Sequence, residues 1–330
     1  MSTDQKSLPA GIGILTIVTT LACWTVIPPT LTWLKDYIDP WTANGWRYLI
    51  SALIWLPVLV IGLRRSTLPK GIWKAALWPS FFNAIAQVCF GIAPYYIKPG
   101  LMTFSLRFQI VFLMTGAAIM FAAERRIVKN WIFLLGTAMV LGGTMLTIGL
   151  NPAGLEGATT FGVILAVGSG FLYAAYALAV RKKMMGMNPL QAFSVVSQYT
   201  AIPLFVAMLL FAKNKVTGEH DMGMSLFDQS AKVIAVTLVS AVIGIGIGHT
   251  LYYFSIARLG LVVSAGVVQL QPVTVSLVSI FMFHEVLTGL QWTTGLTAIA
   301  GAIVMLYAQH RLNKVDREAE RVLPEIGVQD

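Results

Sequence analysis

The sequence predicts an all-α integral membrane protein of ten transmembrane helices in two inverted five-helix repeats. Three observations carry that expectation. Hydrophobic residues fill 57% of the 330 positions against 11% charged, the apolar residues fall in ten blocks of bilayer-spanning length, and polar markers recur at matched spacing in the two halves. An ordinary globular domain is about one quarter charged. With a mean hydropathy of +0.75, lipid is the solvent that suits this chain.

Each block is near the ~20 residues that cross a ~30 Å hydrocarbon layer as a helix. Runs such as 233–253 and 261–283 are apolar on every face. They lack the alternation of a membrane barrel strand, and hydrocarbon admits only spans that satisfy their own backbone. The expected spans are 10–32, 42–63, 73–96, 101–123, 131–149, 159–180, 190–211, 232–257, 261–283 and 289–309. Between them stand Asp39-Pro40, Lys98-Pro99-Gly100, Asn151-Pro152 with Gly154, Asn188-Pro189 and Arg258-Leu259-Gly260, the residue types that punctuate helices. No linker is long enough to separate independent domains. Residues 1–152 and 153–310 are therefore read as two repeats of one unit, and 311–330 as a charged cytoplasmic tail and the candidate disordered segment. The first block is too long for the apolar core of a signal peptide, and only Lys6 flanks it, against Asp4, so it is expected to remain as the first helix.

Lysine and arginine set the orientation, because loops rich in them stay in the cytoplasm. With the N-terminus inside, Lys6, Arg64, Arg65, Lys70, Lys74, Arg125, Arg126, Lys129, Arg181, Lys182, Lys183, Arg258, Arg311, Lys314, Arg317 and Arg321 fall on the cytoplasmic side, sixteen of 23. Lys35, Lys98, Lys213, Lys215 and Lys232 fall outside, while Arg47 and Arg107 lie within spans. Both termini are thus expected in the cytoplasm. The net charge of +9 is directed at anionic headgroups. Nucleic acid would need a basic patch on a soluble module, and the sequence holds none.

The repeat is the most informative feature. Around the third and fourth spans the order is Tyr95-Tyr96, Gly100, Gln109, Glu124 and Trp131; around the eighth and ninth it is Tyr252-Tyr253, Gly260, Gln269, Glu285 and Trp292. Glycine and glutamine are nine apart in both halves, and glutamate and tryptophan seven. Gly136 with Gly142 and Gly295 with Gly301 are each six apart, and Asp39-Pro40-Trp41-Thr42-Ala43 answers Asn188-Pro189-Leu190-Gln191-Ala192. Five helices per copy is an odd number, so the second copy enters the membrane upside down. Many transporters use such inverted repeats to build two openings around one midplane site.

On these residues the chain resembles the EamA-type members of the drug/metabolite transporter superfamily over about residues 10–309. Trp24, Pro40 with Arg47-Tyr48, Gly100, Glu124, Gly260, Gln271-Pro272, Glu285 and Gly301 carry the resemblance. It implies a transporter whose cavity is lined by spans 1, 3, 4, 6, 8 and 9. It leaves the substrate open among amino acids, drugs, nucleotide sugars and other metabolites. One departure stands out: the fourth span has Val111-Phe112 where the ninth has Gln271-Pro272. The expected proline kink is then missing from the first half, and the two halves are not expected to move symmetrically.

Polar residues inside spans cost a few kcal/mol to bury and survive where they find a partner or a wet cavity. Arg107 lies about two turns into the fourth span, ~10 Å deep at 1.5 Å per residue, with no acid in any span to pair with it. Two readings remain open: an anchor for a substrate carboxylate through bidentate hydrogen bonds, or a side chain that caps helix carbonyls or snorkels outward. For Arg47, at similar depth, the structural reading is preferred. Asn83 and Gln87 share one helix face, and His249 shares one with Tyr252 and Tyr253. Together with Gln109, Gln269 and Gln271 they place uncharged hydrogen-bonding groups in the third, fourth, eighth and ninth spans. Interhelical bonding, worth around 1 kcal/mol per contact, competes for each of them. Gln269 and Gln271 lie about 200° apart, so at most one faces a cavity. The expected substrate-binding set is therefore Arg107, Asn83, Gln87, Gln109, His249, Gln269 and Gln271. His249, the one histidine deep in a span, is also the candidate for proton coupling. Glu124 and Glu285, at the membrane edges, read as helix-end anchors. The first span holds no carboxylate, which argues against small cation/proton exchange.

Other patterns read as packing. Gly244-Ile245-Gly246-Ile247-Gly248 lies in an apolar helix without a preceding strand, so close helix contact outweighs a nucleotide loop. Trp46, Trp55, Trp78, Trp131 and Trp292 mostly suit interfacial belts. Cys23 and Cys89 are both intramembrane and suggest neither a disulfide nor a metal site. No cofactor, metal or catalytic constellation is expected, and an enzyme is disfavoured. The expectation is a secondary transporter in a prokaryotic inner membrane. It would move a small anionic or zwitterionic metabolite, such as an amino acid, by alternating access, with export as its direction. The partners are that solute and the bilayer, with a homodimer as a further option. The alternatives are a multidrug efflux protein and a receptor or assembly subunit without transport.

Overall fold

The computed structural model describes residues 10–149, 157–283 and 288–326. Ten apolar helices follow in order: α1 (Gly11–Leu34), α2 (Pro40–Arg64), α3 (Ile72–Tyr95), α4 (Pro99–Met120), α5 (Trp131–Gly149), α6 (Thr160–Met184), α7 (Pro189–Phe211), α8 (Ala231–Leu259), α9 (Leu261–Met282) and α10, whose apolar part is Gly289–Leu312. These match the spans read from sequence to within a few residues. A short helix, Ala122–Val128, links α4 to α5. The Asn151-Pro152 turn and Glu285 lie outside the described residues.

The paired motifs that begin α2 and α7 fold alike. Asp39 is the N-cap of α2 and accepts from the Trp41 amide at 2.9 Å, while Asn188 caps α7 and accepts from Leu190 at 2.9 Å. Each is followed by a proline, whose missing N–H costs nothing in the first helical turn. Large apolar side chains such as Leu15, Ile119, Leu210 and Phe281 are exposed, whereas the polar side chains Asn83, Arg47, Arg107, His249 and Gln271 are buried. That inversion of the soluble pattern suits a lipid surround. Trp78, Trp131 and Trp292 are exposed on this surface. Trp46 and Trp55 are not belt residues: the Trp46 indole donates to the Gly223 carbonyl at 2.8 Å, and Trp55 packs on Phe193. The charged tail also departs from expectation. It continues α10 as helix to Ile326, because residues such as Arg317, Glu318, Ala319, Glu320 and Arg321 are strong helix formers.

Helices pair across the two halves of the chain. Pairs include α5 with α10, α2 with α7, α3 with α6, α1 with α8 and α4 with α9, together with α4 on α6 and its counterpart α9 on α1, and α3 on α7 and its counterpart α8 on α2. Exchanging each helix with the one five places along maps this set of pairs onto itself. At the edge facing the chain ends, Glu124 reaches from the first half to the second. Its carboxylate accepts from the Leu261 amide at 2.9 Å and the Val262 amide at 3.4 Å, with Arg181 Nε at 3.6 Å. A carboxylate at those two orphan donors caps α9 and complements its dipole.

The α5–α10 contact depends on small residues. A Cβ added to Gly136 would lie 2.7 Å from the Gly301 carbonyl, and one added to Gly301 would lie 2.6 Å from the Gly136 carbonyl. Gly142 faces open space; its neighbour Gly143 is the residue that touches α10. Gly301→Leu must therefore push the two helices apart. It is expected to lower the unfolding temperature of the purified protein markedly, whereas Gly142→Ala leaves it unchanged. Equal behaviour of the two variants would contradict this packing.

Candidate functional site

The site starts from backbone irregularities near the middle of four helices. In an α-helix each carbonyl accepts from the amide four residues on, so a proline orphans the carbonyl four residues before it. Pro28 in α1 thereby frees the Trp24 carbonyl, and Pro272 in α9 frees that of Val268. In α8, Ala241–Ile247 forms a π-helix, and the Gly248 amide bonds Ile243 instead of Gly244. The Gly244 carbonyl thus also loses its α-helical donor. Such π segments are frequent at functional sites.

Each freed carbonyl receives a side chain. Arg107 Nη1 donates to the Val268 carbonyl at 2.9 Å, and its Nη2 donates to Gln271 Oε1 at 2.9 Å. Gln271 Nε2 donates onward to the Trp24 carbonyl at 2.6 Å, and Trp24 Nε1 donates to the Gly244 carbonyl at 3.0 Å. A hydroxyl pair, Thr25 and Thr274 at 2.6 Å, adds a second tie between α1 and α9. The glycines of α8 make room for this: a Cβ on Gly248 would lie 2.5 Å from Trp24 Nε1, and one on Gly244 would collide with Ile27.

The fourth helix breaks without a proline, which corrects the expectation that only the second half is kinked. The Arg107 and Phe108 amides bond three residues back, to Phe104 at 2.9 Å and Ser105 at 3.4 Å, and the helix restarts at Gln109. In α9 the matching amides are Gln269 and Leu270, which bond Gly266 and Val267 at 3.1 Å. Each break falls eight residues after the first residue of its helix. Gly170 of α6 presses on the α4 break, where an added Cβ would lie 2.5 Å from the Leu106 carbonyl.

These breaks surround a cavity of about 70 Å³. Trp24 and Ile27 of α1, Gln87 and Phe90 of α3, Leu106, Arg107 and Gln109 of α4 line it, with Tyr173 and Tyr176 of α6. Gly244, Ile245, His249 and Tyr252 of α8 and Ala265, Val268 and Gln271 of α9 complete the wall, and α2 contributes Arg47 alone. All six helices that the resemblance placed around a cavity are present. On the measure by which one water needs ~10–15 Å³, the space holds about five waters.

The residues singled out from sequence divide. Arg107, Gln87, Gln109, His249 and Gln271 line the cavity. Asn83 does not: its Nδ2 donates to Thr200 Oγ1 at 3.1 Å, tying α3 to α7. Gln269 faces away as well, with Nε2 donating to the Ala265 carbonyl at 3.1 Å. Of the two Arg107 readings, carbonyl capping is what the geometry shows for Nη1, while Nη2 donates to the Gln271 side chain and Nε is buried without a partner. Arg47 does not snorkel. It is 1% exposed, its Nε donates to Ser240 Oγ at 2.9 Å, and its buried Nη1 has no partner. His249 sits among rings, stacked on Phe193 at 5.5 Å and edge-on to Trp24 at 5.0 Å, with Nδ1 unpartnered.

The wall also contains residues that sequence reasoning passed over. Trp24 was noted only for the resemblance, although Pro28 four places later marks its carbonyl as free. Tyr173 and Tyr176, three apart and so on one face of α6, were overlooked, as was Phe90.

Among the described residues, ten apolar helices, broken and bonded across halves around a cavity with polar groups in a largely apolar wall, define a polytopic membrane protein with a central chamber. Residues 160–307, from α6 through most of α10, match the model of the EamA-like transporter family. That match bears out the resemblance and points to a membrane transporter of the drug/metabolite transporter superfamily; the matched residues lie in the second half of the chain. No curated protein matches the chain. A crystal structure of another protein superposes with a TM-score of 0.67 at 15% identity, over 91% of this chain and 98% of that one, a likeness of fold.

Gln271→Leu would strip partners from both the Trp24 carbonyl and Arg107 Nη2. It is expected to destabilise the purified protein by about 1–3 kcal/mol, the cost of orphaned buried polar groups. The Gln87 side chain makes no hydrogen bond among the described residues, its carbonyl accepting from Asn44 Nδ2, and Gln87→Leu is expected to stay within about 0.5 kcal/mol of the parent. Unfolding temperatures of the two variants read the difference, and an unchanged value for Gln271→Leu would contradict the bonding pattern.

Proposed function

We propose that the chain is a secondary transporter that carries a small organic solute with an anionic group through this cavity by alternating access. The observation that carries the reading is the pair of buried arginines, Arg47 and Arg107. Both line one cavity, each has an unpartnered N–H, and no aspartate or glutamate is among the described lining residues. A guanidinium stays protonated in proteins, and a buried charge without a counter-charge is costly. An anionic solute supplies that counter-charge. Arg47 is the principal anchor, since Arg107 already spends two of its three nitrogens on Val268 and Gln271. Gln87 and Gln109 add hydrogen bonds, and Trp24, Tyr173 and Tyr252 enclose the rest.

The self-consistent pairing of helices supports two inverted halves, α1–α5 and α6–α10, as the rocking units. The asymmetry of basic residues supports cytoplasmic termini, and the family resemblance supports export. His249 acts here as a neutral part of the wall, since no carboxylate adjoins it among the described residues. The reading of a receptor without transport has no use for two buried arginines on one central cavity.

Reconstitution into liposomes with labelled organic anions, amino acids and organic cations tests the proposal. Saturable flux of an anionic compound is expected, and Arg47→Gln should cut its kcat/KM by about tenfold or more, equivalent to ~1.4 kcal/mol. The absence of saturable flux for every compound would end the transport reading. His249→Gln is expected to respond to an imposed pH gradient as the parent does; a flux that persists but loses its gradient response would make His249 a proton carrier.

A further inference from the structure

The cavity wall also restricts the charge of its occupant, an inference that rests on the transport reading above. Arg47 projects from α2 and Arg107 from α4, and they are 1% and 2% exposed. The groups they bond are all neutral: the Ser240 hydroxyl, the Val268 carbonyl and the Gln271 amide. Hydrogen bonds to neutral dipoles leave the net charge of each guanidinium uncompensated. The two buried carboxylates among the described residues are committed elsewhere. Glu124 caps α9 beside Arg181 at one edge, and Asp39 caps α2 at the other.

Two positive charges therefore face one small space. A monocarboxylate balances one of them. An α-amino acid zwitterion balances none on net, and its ammonium would meet two guanidiniums with no carboxylate to receive it. A molecule with two negative charges balances both. The rest of the wall is largely apolar, with Ile27, Phe90, Leu106, Ile245, Ala265 and Val268, which suits a small carbon body.

We infer that the cavity selects a small organic dianion and discriminates against α-amino acid zwitterions. Two sources share that chemistry, a short dicarboxylate and a phosphate monoester, and the test separates them. The purified full chain is titrated by calorimetry with succinate, glycerol 1-phosphate, butyrate and alanine, and the same four compounds are assayed for flux in liposomes. Either dianion is expected to bind about tenfold or more tightly than butyrate and alanine; which one does so names the source. In Arg47→Gln the dianion should weaken by about tenfold while butyrate changes by less than about threefold, and Arg47→Lys, which keeps the charge, should retain the preference. Gel filtration establishes that the variants are folded. Should Arg47→Gln fail to fold, the wild-type ranking together with Arg47→Lys decides.

Alanine or butyrate binding as tightly as both dianions would overturn the inference, and so would an undiminished dianion preference in folded Arg47→Gln. Saturable flux of alanine without flux of either dianion would sink the inference and leave the transport reading standing. No saturable flux for any compound in either panel would sink both.

Discussion

The bond from Arg107 to the Val268 carbonyl is the constraint on which the centre of the molecule depends. Pro272 removes the amide that would have satisfied that carbonyl, and hydrocarbon offers no water to replace it. Arg107 carries in turn a charge that a bare apolar interior would not tolerate. Each defect answers the other, at 2.9 Å, across the two halves of the chain. The same logic runs onward through Gln271 to the carbonyl freed by Pro28, and through Trp24 to the one displaced by the π-helix of α8. Four interrupted helices are thereby tied into one junction near their midpoints.

That junction explains why a chamber exists where it does. Unbroken apolar helices would close on one another with small residues at the contact, as α5 and α10 do through Gly136 and Gly301. Irregular backbone at membrane depth persists only where protein or a water-filled space lines it. The interruptions in α1, α4, α8 and α9 supply such a lining, while α5 and α10 contribute nothing to the wall. The dianion inference follows from the same arrangement: the bonding that holds Arg107 in place uses neutral acceptors and leaves its charge for an occupant.

Much of this architecture was legible from residue types. Span lengths, the paired Asp39-Pro40 and Asn188-Pro189 caps and the helices around the cavity all follow from local rules of hydropathy, capping and spacing. Asn83 was misplaced because its face of α3 is set by Thr200 on α7, a contact between residues 117 positions apart that periodicity cannot reveal. Only Gln271 of the pair Gln269 and Gln271 faces the cavity, as their angular separation requires, and Pro272 with the carbonyl it frees decides which one. The structural reading of Arg47 leaves out that its side chain turns inward to the cavity. Its direction is set by α2 packing on α7 and on the π segment of α8. Reading four residues back from each intramembrane proline would have flagged Trp24 and Val268 in advance.

A double-mutant cycle between Arg107 and Pro272 tests the central claim most directly. Pro272→Ala restores an amide for the Val268 carbonyl, so the role of Arg107 as its cap should largely vanish. The account predicts that Arg107→Gln, measured by reversible unfolding in mixed micelles, costs less in the Pro272→Ala background than in the parent, with a coupling of about 1 kcal/mol or more. Additive effects, within about 0.5 kcal/mol, would contradict it.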